Sequence, residues 1–305
     1  MYHEPVLLKE TIELLLVQTG GVYLDGTVGG GGHAAAILDG LNAEGRLLAT
    51  DRDPEAVAVV QQRFADDSRF QVSQINYSEF FTLFPDYRNS ALDGILLDLG
   101  VSSHQLDSAE RGFSFMRDGA LDMRMSVTDS LTAADVVNEY EPEVLRNILI
   151  RFGEVRRADR LVDAIVSARQ EAPLTTTMQL RRVLEPHLPQ HRGFSVLAQI
   201  FQALRLEVNR ELQALQQFLT AAHDALVPGG RLVVMSYHSL EDRLVKKFFR
   251  FAESDCVCSP GSPVCTCDKK QTLKLPVRRA VKPADEEIEA NPRARSVRLR
   301  VAEKV

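Results

Sequence analysis

The stretch Tyr23 to Ala36, YLDGTVGGGGHAAA, sets four successive glycines, Gly29, Gly30, Gly31 and Gly32, between an apolar run and a string of alanines. Glycine opens positive φ and lets a ligand approach the main chain, yet it costs about 0.5–1 kcal/mol per residue in a regular element, so four together imply a use. A glycine-rich turn between a strand and a helix presents backbone N–H groups and a helix N-terminus to a bound group. The competing reading is a tight turn in which the glycines are incidental.

Carboxylates narrow the ligand. Asp25 stands just ahead of the glycines, where it would repel a pyrophosphate and attract a cationic amino-acid moiety. S-adenosylmethionine carries that moiety and a sulfonium as well. Asp51, closing the apolar run in LLATDRDP, is placed to accept from both hydroxyls of a ribose lying across the strand tips. Its alternative is a helix cap, a job for which Asp53, directly before Pro54, is better placed. Asp98 follows the apolar run in GILLDLGVSS and should emerge at the same sheet edge, where Gly100, Ser102 and Ser103 leave room for a substrate. A buried structural carboxylate is the alternative, and it would need partners to offset its desolvation.

The elements that must position these groups are legible as a pattern. Short apolar or β-branched runs at 22–27, 46–51, 69–75 and 92–99 read as buried strands, with helical patterns at His33–Leu41, Pro54–Phe64 and Ser78–Phe84 between them. Their alternation predicts βαβ units and a parallel, doubly wound α/β sheet. From about Gln105 to Leu204 there is no convincing strand, only a polar loop and helical segments; the strand pattern resumes at GRLVVMSYH behind the turn VPGG. The expected organisation is a discontinuous Rossmann-like domain, 1–104 with 205–305, interrupted by an all-helical insert, 105–204, for substrate recognition.

The 305 residues, 45% hydrophobic and 26% charged, suffice for a sizeable core under a soluble surface. No apolar run reaches the roughly 18–20 residues of a membrane span and the N-terminus lacks a signal-peptide pattern, so a cytoplasmic protein with no membrane partner is expected. With a net charge of −6, any nucleic-acid contact must use local basic patches. Lys269–Arg300 is one, with ten Lys and Arg against four Asp and Glu; the insert, with Arg151, Arg156, Arg157, Arg160, Arg181 and Arg182, is another. All four cysteines, Cys256, Cys258, Cys265 and Cys267, fall in one C-x-C-x6-C-x-C stretch. As thiolates they can hold a structural zinc ion; otherwise they form a flexible reduced loop.

The motifs HEPVLLKE, DGTVGGGGH, DRDP, DGILLDLGVSSHQLDSAERGFSFMRDGALDMRM, GGRLVVMSYHSLEDRLVK and NPRARS occur in order from His3 to beyond Ser296. In them the sequence resembles the bacterial 16S ribosomal RNA (cytosine-N4)-methyltransferases of the MraW/RsmH type. The resemblance implies a class I S-adenosylmethionine-dependent methyltransferase sheet. It also implies methyl transfer to the exocyclic N4 of a cytidine in the decoding region of 16S rRNA, as naked RNA or in the small ribosomal subunit. Cofactor contacts implied by it fall on Gly31, Gly32, His33, Asp51, Tyr77, Asp98 and Gln105, beside Asp25 and Gly30 from the loop itself. Tyr77 is suited to stacking near the adenine; packing on the core is its alternative. Thr27 occupies the first glycine position of the wider superfamily's loop, so that turn must form without positive φ.

A cytosine N4 amine shares its lone pair with the ring, so the enzyme must hold it in line with the methyl group at about 3–3.5 Å. Asp98, the carbonyl region of Gly100 and the hydroxyls of Ser102 or Ser103 are the groups expected to do this. His238 in SYHSLEDR either contacts the base or a phosphate, or takes the departing proton through water, or caps the following helix. In RGFSFMR, Phe113 and Phe115 stack on bases while Arg111 and Arg117 engage phosphates, or the two aromatics pin the insert to the core. The rivals are a nicotinamide-dependent oxidoreductase, disfavoured by Asp25, and a non-enzymatic RNA-binding assembly factor. The sequence does not set the oligomeric state, and a homodimer stays open.

Overall fold

The computed structural model describes residues 5–258 and 266–305. Seven strands, β1 (Val22–Asp25), β2 (Arg46–Asp51), β3 (Phe70–Gln74), β4 (Leu92–Asp98), β5 (Leu226–Ser236), β6 (Leu273–Lys274) and β7 (Arg298–Lys304), form one sheet in the order β3-β2-β1-β4-β5-β7-β6. The first five are parallel, and β7 runs antiparallel to both β5 and β6. In β4 every residue but Asp98 is buried, as expected for a central strand covered on both faces. Strand order reverses between β1 and β4, the switch point at which open parallel sheets bind ligands beyond their C-terminal edge. Asp25 is in register with Ala49 of β2 and Leu96 of β4. Asp51 and Asp98 therefore each reach two residues further toward that same edge.

Local chemistry explains the boundaries. Asp53 caps the helix Pro54–Arg63 by accepting the Glu55 N–H at 3.1 Å, with Pro54 in the first turn. The turn VPGG is looped out of β5: pairing with β4 jumps from Leu92↔Leu226 to Gly94↔Arg231, and Gly229 sits at φ +83°. The helix Leu8–Leu15 and the strands β6 and β7 are additions to the pattern expected from sequence.

Two compact units divide the chain: Val101–Leu212, and the described residues up to Gly100 with Gln213–Val305. The second unit holds the sheet between two apolar clusters, one around Phe218 and Phe249, the other around Tyr23 and Ile37. The first is helical, with helices from Ser103–Asp107 to Gly193–Asn209 around its own apolar core. Phe113 and Phe115 belong to that core at 7% and 8% exposure. Arg111 is buried too, donating to the carbonyls of Met125 at 2.9 Å and Arg124 at 3.2 Å. The base-stacking and phosphate alternative for these three residues is thereby corrected, because they are consumed in packing. In this unit Phe194 is an exposed ring, 64% accessible, its centroid 5.0 Å from that of Phe115 in a T-shaped pair.

Candidate active site

The loop after β1 is tied down from three strands. Gly26 donates to Leu96 O at 2.9 Å, Val28 to Thr50 O at 3.0 Å, and Thr27 to Asp25 Oδ1 at 3.1 Å. Thr27 also accepts the Asp98 N–H on its hydroxyl at 2.6 Å. A threonine at this position thus ties the β1 loop to the tip of β4, a bond that glycine would not make. Gly29, at φ +49°, gives its N–H to Asp51 Oδ2 at 2.9 Å, while Asp51 Oδ1 takes the Asp53 N–H at 2.9 Å.

The glycines divide into two kinds. A Cβ on Gly31, itself at φ +77°, would lie 2.9 Å from both Phe64 Cε2 and Val60 Cγ1, and one on Gly32 would lie 3.0 Å from Pro5. At these two positions the close neighbour is the protein itself. Gly30 turns its carbonyl to Arg63 Nη1 at 2.9 Å. The helix Gly32–Gly40 that follows has no side-chain cap, so its first N–H groups are left to other partners.

Burial gives the carboxylates unusual acidities. Asp25, 1% exposed, is pushed up to about 7, first by desolvation and then by the charges of Asp98 and Asp51. Desolvation also raises Asp51, against the N–H bonds from Asp53 and Gly29. Asp98, its side chain 23% exposed, is raised by desolvation, opposed by His33 and by the Tyr237 hydrogen bond. Tyr237 donates its hydroxyl to Asp98 Oδ1 at 2.9 Å and its N–H to Glu241 Oε2 at 3.0 Å. Burial and the neighbouring carboxylates push its phenol far up, so it stays a donor. His33 is 5% exposed; its Nε2 donates to Val6 O at 3.1 Å, which turns Nδ1 to Asp98 Oδ2 at 3.7 Å. Asp98 thus has the partners that the buried-carboxylate alternative required. Its position at the strand tip is equally as expected.

The remaining expected residues have clear local duties. Tyr77 opens a short 3-10 turn and sets its ring edge-on to Phe218, centroids 5.2 Å apart. Gln105 and Ser102 form a capping box for the helix Ser103–Asp107: the Ser102 N–H reaches Gln105 Oε1 at 3.1 Å and the Gln105 N–H reaches Ser102 Oγ at 3.2 Å. Gly100 sits at φ +99°, where a Cβ would lie 3.4 Å from Tyr237 Cδ2, and the chain passes from one unit to the other immediately after it. His238 caps the helix Ser239–Glu253, with Nδ1 accepting the Glu241 N–H at 3.5 Å and Nε2 3.2 Å from Glu241 Oε1. Tyr237 has no counterpart among the residues expected from sequence, although it lies in SYHSLEDR. Glu241 and Asp242, expected from sequence to form an ion-pair cluster with Arg243, pair with His238 and Arg300. Cys256, Cys258 and Cys267 come together in the loop after that helix; Cys265 lies outside the described residues.

A parallel sheet with this order, a single antiparallel strand set between β5 and β6, and an acidic residue at the tip of β1 ahead of a glycine loop define the class I S-adenosylmethionine-dependent methyltransferase fold. Within that class, the chain matches the MraW methylase family over residues 1–305 and belongs to it. It is 43% identical over 306 residues to the ribosomal RNA small subunit methyltransferase H of Halothermothrix orenii, covering 99% of this chain and 98% of that protein. Its identity to the protein of the same name from Heliobacterium mobile is 45% over 311 residues, covering 100% and 99%. Among solved structures it is similar to an rRNA methylase from Streptococcus thermophilus, with a TM-score of 0.40 at 13% identity over 98% of this chain and 93% of that one.

Proposed function

We propose that this protein transfers the methyl group of S-adenosylmethionine to the exocyclic N4 of a cytidine in the decoding region of 16S ribosomal RNA, acting in the cytoplasm on the RNA or the small subunit. The substrate reading is supported by membership of the MraW methylase family and by the identity to small subunit rRNA methyltransferases H. The observation that carries the cofactor reading is the convergence of three carboxylates, Asp25, Asp51 and Asp98, on one sheet edge around the glycine loop. Their mutual repulsion and desolvation are relieved by a cation and worsened by a pyrophosphate. Asp25 would hold the amino-acid end of the cofactor, Asp51 its ribose, Tyr77 its adenine, and the N–H groups of Gly30, Gly32 and His33 its carboxylate, the Gly31 N–H being bonded to Val28 O at 2.8 Å. Bound there, S-adenosylmethionine supplies an electrophilic methyl group on a sulfonium.

Methylation of an amine releases one proton. Asp98 accepts a hydrogen bond from the amine, which directs the nitrogen lone pair toward the methyl group, and with His33 beside it takes up that proton. Tyr237 fixes which carboxylate oxygen is free to do so. The Gly100 carbonyl is a second acceptor for the amine; the hydroxyls of Ser102 and Ser103 and the amide of Gln105 enter through the family motif alone. The helical unit, residues Val101–Leu212, recognises the RNA, and exposed Phe194 is a ring available to stack on a base. Around the C-terminal tract Arg278, Arg279, Lys282 and Arg295 are exposed, whereas Lys274 and Arg300 are spent on Glu303 and Asp242.

The acidity of Asp25 makes the cofactor reading testable. Its pKa is raised from 3.8 to about 7, so in the unliganded fold it is largely protonated below pH 7. A cationic ligand favours the ionised form, so binding releases a proton there and tightens as pH rises. Calorimetry between about pH 6 and 7.5 is expected to show S-adenosylmethionine binding strengthen roughly eightfold, with NAD not binding at all. Stability of the unliganded protein runs the other way: the folded state holds the extra proton, so the Asp25 contribution is full below about pH 4 and is lost as pH rises through about 7. Affinity that is flat with pH, or preferential binding of NAD, contradicts the assignment.

A further inference from the structure

The chain leaves the helix Ser239–Glu253 and returns to β6 at nearly one point, where Thr272 donates its N–H to Ala252 O at 2.9 Å. Inside this closed loop the sulfurs of Cys256, Cys258 and Cys267 lie within 4.8 Å of one another. Cys256 and Cys267 are 3.8 Å apart, sulfur to sulfur. That is far beyond a disulfide, about 2.05 Å, and it is the edge of a tetrahedron whose centre lies about 2.3 Å from each sulfur, the usual zinc–thiolate distance.

Backbone amides address these sulfurs. Val257 N–H points to Cys267 Sγ at 3.4 Å, Cys258 N–H to Cys256 Sγ at 3.4 Å and Thr266 N–H to Cys258 Sγ at 3.5 Å. Such donors favour the thiolate over the thiol, and thiolates packed this closely repel unless a cation lies between them. Among the described residues the clustered donors are three soft thiolates, a set that selects a thiophilic ion of tetrahedral habit.

We propose that Cys256, Cys258 and Cys267 bind one zinc ion that clips this loop closed, outside the methyl-transfer chemistry. Binding displaces the thiol protons and ties Cys256 and Cys258, just after the helix, to Cys267, just ahead of β6. The fourth corner is left unassigned.

The test is elemental analysis of the full chain, expressed with zinc in the medium and purified without chelator. The expected result is about one zinc per chain, with thiols that react slowly until a chelator is added. C256S/C258S/C267S is expected to carry none. Where that variant does not fold, C267S alone should lose its zinc to a competing chelator at a concentration at least about tenfold below that needed for the wild type. Wild-type protein with less than about a tenth of an equivalent, zinc retained in the triple variant, or iron in its place each overturns the proposal. Methyl transfer measured on the same samples reports on the proposed function independently of metal content.

Discussion

Asp98→Ala is expected to lower single-turnover methyl transfer by at least about a hundredfold at saturating cofactor, the usual scale for loss of one preorganised group at a reacting atom. In the proposed mechanism alanine removes both the acceptor for the amine and the proton's destination. It also leaves the Tyr237 hydroxyl without its carboxylate, 2.9 Å away in the native protein, a structural cost of about 1–3 kcal/mol. Thermal melting must therefore be measured beside the rate. Tyr237→Phe gives the graded counterpart: the ring stays, the hydrogen bond goes, and a fall of only about three- to tenfold in kcat is expected with little change in KM. Turnover at the wild-type rate in Asp98→Ala would remove Asp98 from the chemistry.

The second large effect concerns binding. Asp51 accepts the backbone N–H groups of Gly29 and Asp53, both at 2.9 Å, and that of Arg52, and it is assigned to the ribose. Asp51→Ala should weaken S-adenosylmethionine binding by about thirty- to a hundredfold, equivalent to about 2–3 kcal/mol for lost bonds to a charged acceptor. Turnover at saturation should fall only a few-fold, because the group acts on ground state and transition state alike. Asp51→Asn keeps one carbonyl acceptor and should fall between the two. Calorimetry showing an unchanged Kd would assign Asp51 to loop structure alone.

The sheet is legible in the sequence because its five parallel strands are short apolar runs ended by polar residues, with Asp25, Asp51 and Asp98 at the ends of three of them. Period and polarity are local properties. What escapes is either weakly patterned or dependent on tertiary contact. β6 has only two residues, whereas β7, RLRVAEK, alternates exposure in its first half and carries a readable signal. The three-residue spacing of Ser102 and Gln105 is itself the signature of a capping box. The link from Tyr237 to Asp98 spans 139 positions and has no sequence signature. The glycine loop reads correctly as a tight passage, but Phe64, Val60 and Pro5 account for the crowding at Gly31 and Gly32. Arg111, Phe113 and Phe115 look like an RNA-binding run because composition cannot report burial, and all three are less than a tenth exposed.

The central claim, methylation of one cytidine amine in the decoding region, is tested most directly by mass spectrometry of 16S rRNA fragments from cells with and without this protein, with nucleoside analysis of the affected fragment. The expected result is one decoding-region fragment that lacks a single methyl group when the protein is absent, with N4-methylated cytidine restored by the wild-type protein and not by Asp98→Ala. Fragments identical in the two strains, or a missing methyl group on another base or on a ribose, would contradict it.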